Sequence, residues 1–162
     1  MDICVLLDSL TSAHNVGAIF RLCDAALVSR LYLCGGTPAP PSLKINRGSR
    51  RCWKWVPWEH CEDAALVVQE LKSQGIKIVS VELADTSRLY HEADLSGPAC
   101  LILGNETSGV SPRLLELSDL IVRLPMLGMG NSINVSTAAS VVLYESLRQS
   151  LQGTCVSTAQ EV

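Results

Sequence analysis

Aromatic residues make up only 4% of the sequence and charged residues only 18%, against 48% hydrophobic. That balance excludes a disordered, collagen-like or coiled-coil chain. No apolar run approaches the roughly 20 residues that cross a bilayer, so no membrane partner is expected. The opening Met1-Asp2-Ile3-Cys4 has no basic stretch of the kind that begins a secretory signal. Seven cysteines contain no C-x-x-C pair, and His14, His60 and His91 are scattered. Neither a disulfide framework nor a metal site is expected; the cysteines read as reduced core thiols of a cytoplasmic protein. There is no G-x-G-x-x-G fingerprint and no Walker A loop. A net charge of −3 excludes a purely electrostatic nucleic-acid binder and leaves room only for a local basic patch.

What is present is enough for one domain. A chain of 162 residues buries roughly 70% of its unfolded surface. Short apolar runs at 2–7, 31–34, 76–83, 99–103 and 120–124 predict strands. Helical spacing predicts helices after an Asn15 cap (Val16, Ile19, Phe20, Cys23, Leu27), over 62–74 with Gly75 after it, and over 134–149. Ser111 and Pro112 predict the start of a further short helix. Residues 44–58 read as irregular, 128–131 as a flexible loop, and 153–162 as a frayed tail to a domain over 1–152. Strands apolar on both faces that alternate with helices predict a parallel sheet covered on both sides, an α/β fold. Ligands of such sheets bind at the carboxyl ends of the strands.

Three segments near those ends stand out. Asn15-Val16-Gly17-Ala18-Ile19-Phe20-Arg21 has a bland reading as a capped helix with a surface arginine, yet a glycine in a first turn is unfavourable. Something is expected to approach the backbone at Gly17. Gly104-Asn105-Glu106-Thr107-Ser108-Gly109 sets a carboxylate between two glycines at a strand end. Leu124-Pro125-Met126-Leu127 and Ser132-Ile133-Asn134-Val135-Ser136 bracket a glycine-containing loop rich in small polar residues and methionine, which could offer N–H groups, hydroxyls and an adaptable apolar wall.

In this order the segments resemble the SpoU/TrmH family of RNA ribose 2′-O-methyltransferases, within the SPOUT superfamily. N-x-G-x-x-x-R matches Asn15, Gly17 and Arg21; G-x-E-x-x-G matches Gly104, Glu106 and Gly109; the third motif matches Leu124-Pro125-Met126 and Ser132–Ser136. The resemblance runs from residue 2 to about residue 150. It implies a C-terminal deep trefoil knot, which periodicity would never suggest because true knots are nearly absent from proteins. It also implies S-adenosylmethionine (S-adenosyl-L-methionine) as cofactor, held by Leu83, Gly104, Asn105, Glu106, Leu124, Pro125, Met126, Leu127, Ser132 and Asn134. A homodimer with the site near its interface is implied as well, and no metal is needed.

The implied reaction is methyl transfer to a ribose 2′-hydroxyl of tRNA or rRNA. Arg21, Asn15, Glu106 and Asn134 are the candidate catalytic residues. Arginine is an awkward base, since its pKa exceeds 12; Arg21 is expected chiefly to position the phosphate and stabilise the developing alkoxide. Asn15 would orient Arg21 or the ribose, and Glu106 would pair with Arg21 or shape the substrate site. Ala18, Ala25, Ala139 and Val142 are expected on the dimer faces. Arg21, Lys44, Arg47, Arg50 and Arg51 are the candidate RNA contacts. Trp53, Trp55 and Trp58 interleave with this basic stretch, as base-stacking faces or as core and interface anchors. A base-directed methyltransferase and a non-catalytic RNA-binding module of the same fold are the alternatives.

Overall fold

The computed structural model describes residues 2–130 and 132–157. Among the described residues seven strands and five helices follow one another in the order β1 (Ile3–Asp8), α1 (Ala13–Ala25), β2 (Arg30–Cys34), α2 (Leu43–Ser49), β3 (Trp58–Cys61), α3 (Ala64–Ser73), β4 (Lys77–Val81), β5 (Arg88–Leu89), β6 (Ala99–Leu103), α4 (Pro112–Leu117), β7 (Leu120–Arg123) and α5 (Val135–Ser157). The strands form one sheet in the order β3-β2-β1-β6-β4-β7-β5, and every neighbouring pair is parallel. The parallel α/β architecture predicted from the two-sided apolar runs is therefore the one observed.

Alternation along the strands divides the core in two. Ile3, Val5 and Leu7 of β1, with Leu101 and Leu103 of β6, pack against Val16, Ile19, Phe20 and Cys23 of α1 and Ala139, Val142 and Leu143 of α5. The intervening Cys4, Leu6, Cys100 and Ile102 pack on the other face against Ala65, Val68 and Leu71 of α3 and Leu114 of α4. The six cysteines with described side chains are free, and five of them are buried; Cys155 lies beyond the described side chains. Ala139 and Val142, expected on a dimer face, are 3% and 0% exposed and belong to the chain's own core.

Several boundaries differ from expectation. Helix α1 starts three residues early because Ser12, not Asn15, is its N-cap: the Ser12 hydroxyl accepts the Asn15 N–H. Leu27 lies past the helix end, exposed and with a positive φ. The stretch 44–58 holds most of α2, a 3-10 turn at Cys52–Lys54 and the start of β3. The approach expected at Gly17 is made by protein: a Cβ there would lie 3.0 Å from the Cα of Gly48, so α1 and α2 cross backbone to backbone. Helix α5 continues through Ser157, past the predicted stop near 149 and into the stretch expected to fray. The remainder of that stretch, 158–162, lies outside the described residues, as does Asn131 of the glycine loop. Among the described residues no helix is long and apolar enough to cross a membrane.

Candidate active site at the carboxyl edge of the sheet

Strands β1, β6, β4 and β7 end side by side, and the segments that follow them carry the three motifs and one further acid. The turn after β6 is built with almost no freedom. Asn105 and Gly109 exchange backbone hydrogen bonds of 3.0 and 2.9 Å. The Asn105 side chain accepts from the N–H groups of Thr107 and Ser108 and donates to the Ser9 carbonyl. A Cβ on Gly104 would fall 2.1 Å from the Val110 nitrogen. Gly109 has φ +72°, and a Cβ there would fall 2.2 Å from Glu82 Oε2. Gly104 is thus required by its close approach to backbone, and Gly109 by its left-handed backbone.

Glu82, the residue that follows β4, belongs to none of the three motifs. Its carboxylate accepts the Val110 and Leu83 N–H groups, each at 2.8 Å. It therefore ties the β4 edge to the end of the β6 turn. No spacing rule marks a lone acid after a strand; only the fold carries it to its partner 28 residues on.

Glu106 faces the start of α1. It accepts the Thr11 N–H (2.8 Å) and hydroxyl (2.9 Å), the Ser12 N–H (3.1 Å) and the Asn15 side-chain amide (2.9 Å). Partial burial pushes its pKa up, but the bonds from Thr11, Asn15 and Ser12 outweigh this and hold it at about 2. A carboxylate at a helix N-terminus also meets the positive end of the helix dipole. Asn15 is buried, and its amide oxygen accepts from Asn134 Nδ2 at 3.0 Å. Asn134 Oδ1 in turn accepts the Ser136 N–H (2.9 Å) and hydroxyl (2.6 Å), capping the first turn of α5. One continuous chain, Glu106–Asn15–Asn134–Ser136, joins all three motifs. The expected partnership of Glu106 with Arg21 is not formed; its acceptors are filled by Thr11, Ser12 and Asn15.

Two adjoining hollows open over this framework. A cavity of ≈ 430 Å³ is lined by residues that include Gly104, Asn105, Glu106, Ser132 and Asn134. A smaller one of ≈ 150 Å³ is lined by Leu83, Leu124, Met126 and Ile133, among others. Val81, Glu82, Ser132, Ile133 and Ala138 border both. Eight of the ten expected cofactor residues line one hollow or the other. Pro125 and Leu127 line neither, and Leu127 projects outward, 95% exposed.

Arg21 lies elsewhere. Because α1 begins at Ala13, Arg21 falls in its third turn, about 12 Å along the axis from the start, and not in the second turn that a helix capped by Asn15 would give. It is exposed and lines neither hollow. Among the described residues it makes no hydrogen bond or ion pair. Lys44, Arg47, Arg50, Arg51 and Lys54 are likewise exposed, with Arg50 and Arg51 both at positive φ where α2 gives way to the 3-10 turn. Trp58 packs edge-on against Phe20, with ring centroids 6.1 Å apart, and Trp53 packs on the same core. Among the described residues no group of three or more His, Cys, Asp or Glu could hold a metal ion.

Known proteins share both sequence and shape with this chain. A tRNA (guanosine(18)-2′-O)-methyltransferase of Aquifex aeolicus is 38% identical over 149 residues, 91% of this chain and 70% of that protein. A 23S rRNA (guanosine-2′-O-)-methyltransferase of Vibrio parahaemolyticus is 31% identical over 91% of this chain and 59% of its own length. The crystal structure of the A. aeolicus TrmH/SpoU tRNA modifying enzyme superposes with TM-score 0.86 at 34% identity, covering 94% of this chain and 77% of that one. The SpoU methyltransferase AviRb of Streptomyces viridochromogenes, in complex with the cofactor AdoMet, superposes with TM-score 0.84 at 29% identity, covering 91% and 60%. The profile of the SpoU rRNA Methylase family matches residues 2–144, and with all three motifs joined in one hydrogen-bonded chain, the protein belongs to that family.

Proposed function

We propose that the protein transfers the methyl group of S-adenosylmethionine to a ribose 2′-hydroxyl of tRNA or rRNA. The observation that carries this reading is the chain Glu106–Asn15–Asn134, because it fixes one residue of each motif beside the paired hollows. The relatives named as 2′-O-methyltransferases and the neighbour solved with AdoMet support the same chemistry.

The residues present fit that cofactor. Leu83, Leu124, Met126 and Ile133 offer apolar walls to a flat purine. Gly104, Asn105, Ser132 and Asn134 offer polar groups to a ribose and an amino-acid end. Pro125 and Leu127 complete the loop that would close over it. S-adenosylmethionine, when bound, supplies an electrophilic methyl group on a sulfonium with a neutral leaving group. Asn134, held by Asn15, keeps the last loop in place, and Glu106 keeps Asn15 from turning. Arg21 anchors the substrate phosphate and stabilises negative charge as it develops on the 2′-oxygen; its guanidinium stays protonated.

Arg21 lies six residues along α1 from Asn15 and lines neither hollow, which supports a site completed by a second copy. In the homodimer we propose, Arg21 of one chain serves the hollows of the other. The exposed Arg21 and Ala25, with half-buried Ala18, on α1 and the exposed Tyr144 and Leu151 on α5 support this face. Lys44, Arg47, Arg50 and Arg51 contact RNA phosphates. The passage of 124–134 from β7 back to α5, which packs beside α1, supports the deep trefoil knot, since β4 lies between β6 and β7. Free thiols support residence in the cytoplasm.

The test is to incubate the protein with methyl-labelled S-adenosylmethionine and with tRNA and rRNA from cells lacking its gene, then map the label. Ribose 2′-O-methylation is the expected product. Label on a base, or binding of RNA without transfer, overturns the assignment.

A further inference from the structure

We propose that the exposed face of Trp55 is a stacking platform for an unpaired base of the RNA, fixed beside Arg21; this rests on the RNA-methylating reading above. The three neighbouring tryptophans have different situations. Trp58 and Trp53 are half-buried on the core, with Trp58 Nε1 donating to the Trp53 carbonyl and Trp53 Nε1 to Asn46 Oδ1. Trp55 is 60% exposed. Its indole is nevertheless held at one edge, because Nε1 donates to Asp24 Oδ1 at 2.6 Å. The other oxygen of that carboxylate accepts the buried Cys52 thiol at 3.4 Å. An apolar ring open to solvent, with its single polar atom anchored, presents a flat and preorganised face.

The surroundings identify the occupant. Arg21 precedes Asp24 by three residues on α1, so the two side chains are neighbours on the helix surface. Lys54 immediately precedes Trp55 in the chain, and Arg47, Arg50 and Arg51 lie shortly before it, all exposed. Cations around an open aromatic face are the pairing that single-stranded RNA requires: phosphates meet the charges and a base meets the ring. A base stacked there brings its own phosphate and ribose within the neighbourhood of Arg21. Trp55 would act as a positioning residue that selects unpaired over paired nucleotides, since a base within a duplex has no free face.

The experiment uses the full chain and a short fluorescein-labelled RNA of mixed sequence, as a single strand and annealed to its complement, with anisotropy read at several salt concentrations. Trp55→Ala is expected to lose about tenfold in affinity for the single strand and little for the duplex. Its salt slope should equal the wild type's, because no phosphate contact is lost, whereas Arg51→Ala should reduce that slope. Trp55→Phe should recover most of the affinity, and S-adenosylmethionine binding should be the same throughout. Wild-type affinity in Trp55→Ala, or no recovery in Trp55→Phe, overturns the platform. So does a change of oligomeric state in Trp55→Ala, which would assign the indole to a second copy. A wild-type protein that binds neither RNA sinks the RNA-methylating reading itself, and the platform with it.

Discussion

Asn15 and Asn134 meet at 3.0 Å although 119 residues separate them, and the bond between them has a fixed direction. Asn15 must donate to Glu106 and accept from Asn134 at the same time. Only a side chain with one donor and one acceptor on the same short stem does both. Asn15→Asp should therefore set two carboxylates against each other, and Asn15→Ala should leave Asn134 without its partner. Both partners of Asn15 are open to water, so each variant is expected to destabilise the fold by about 0.5–1.5 kcal/mol, the net worth of a hydrogen bond. Urea denaturation measures the loss; wild-type midpoints in both variants would show that the chain carries no load.

Removal of the Arg21 guanidinium should strike rate rather than cofactor binding. Arg21→Ala is expected to fall at least about 100-fold in kcat, as for loss of one electrostatic stabiliser, with S-adenosylmethionine affinity by isothermal titration little changed. Arg21→Lys should not restore it, since an ammonium lacks the planar fork. Near-normal turnover by Arg21→Ala would return this residue to an ordinary surface role.

Mixed dimers test where Arg21 acts. A dimer of one Arg21→Ala chain with one Asn134→Ala chain keeps a whole site if Arg21 reaches across, and none if it acts within its own chain. Activity above that of either parent homodimer is the expected result, read on tandem-tagged heterodimers.

Glu106 makes stability depend on acid. Its pKa is about 2 in the folded chain, against about 4.3 for an unperturbed glutamate. The unfolded chain takes up the proton first, so the stabilisation is complete above about pH 4.3 and is lost as the pH falls towards 2. Asp94 and Glu145 are also held at about 2, so the Glu106 share is the difference between wild type and Glu106→Gln. The gap between their unfolding curves should narrow from pH 5 to pH 2; a gap that stays constant would show that the carboxylate charge is not what the loop recognises.

Gly109→Ala should be worse than a helix-surface substitution, since it combines a positive φ with a 2.2 Å approach to Glu82. Thermal shift with S-adenosylmethionine is expected to vanish in this variant. An unchanged shift would mean that the turn can move without harm to the hollows.

Much of this was readable from residue order. Strand β6 falls on the predicted residues, because Ala99–Leu103 is buried at every position and a continuous apolar run is the mark of a doubly covered strand. The three motif segments were visible for the same kind of reason: glycines and small polar residues crowd strand ends. Helix α2 was not visible, because Ile45 and Ser49 are its only buried residues and its contact with α1 is made by Gly48 against Gly17. Two backbones in contact leave no apolar period. The Glu82 bond to Val110 and the distance of Arg21 from the hollows depend on how elements are placed in space, and spacing along the chain is silent on that.

The position of β4 sets an order of events. Both its partners, β6 and β7, come later in the chain, so β4 has no neighbour to pair with until at least residue 99 has been made, and its second edge stays open until β7 has been made. Contacts so distant in sequence form slowly. The β1–β2–β3 half, whose connections are local, can gain protected amides early, as pulsed hydrogen exchange during refolding would record. The hollows, bordered by the ends of β4 and β6 and by the segment that leads into α5, come into being only once these late elements are in place, so competence to bind the cofactor is itself a report that the long-range pairings of the sheet are complete.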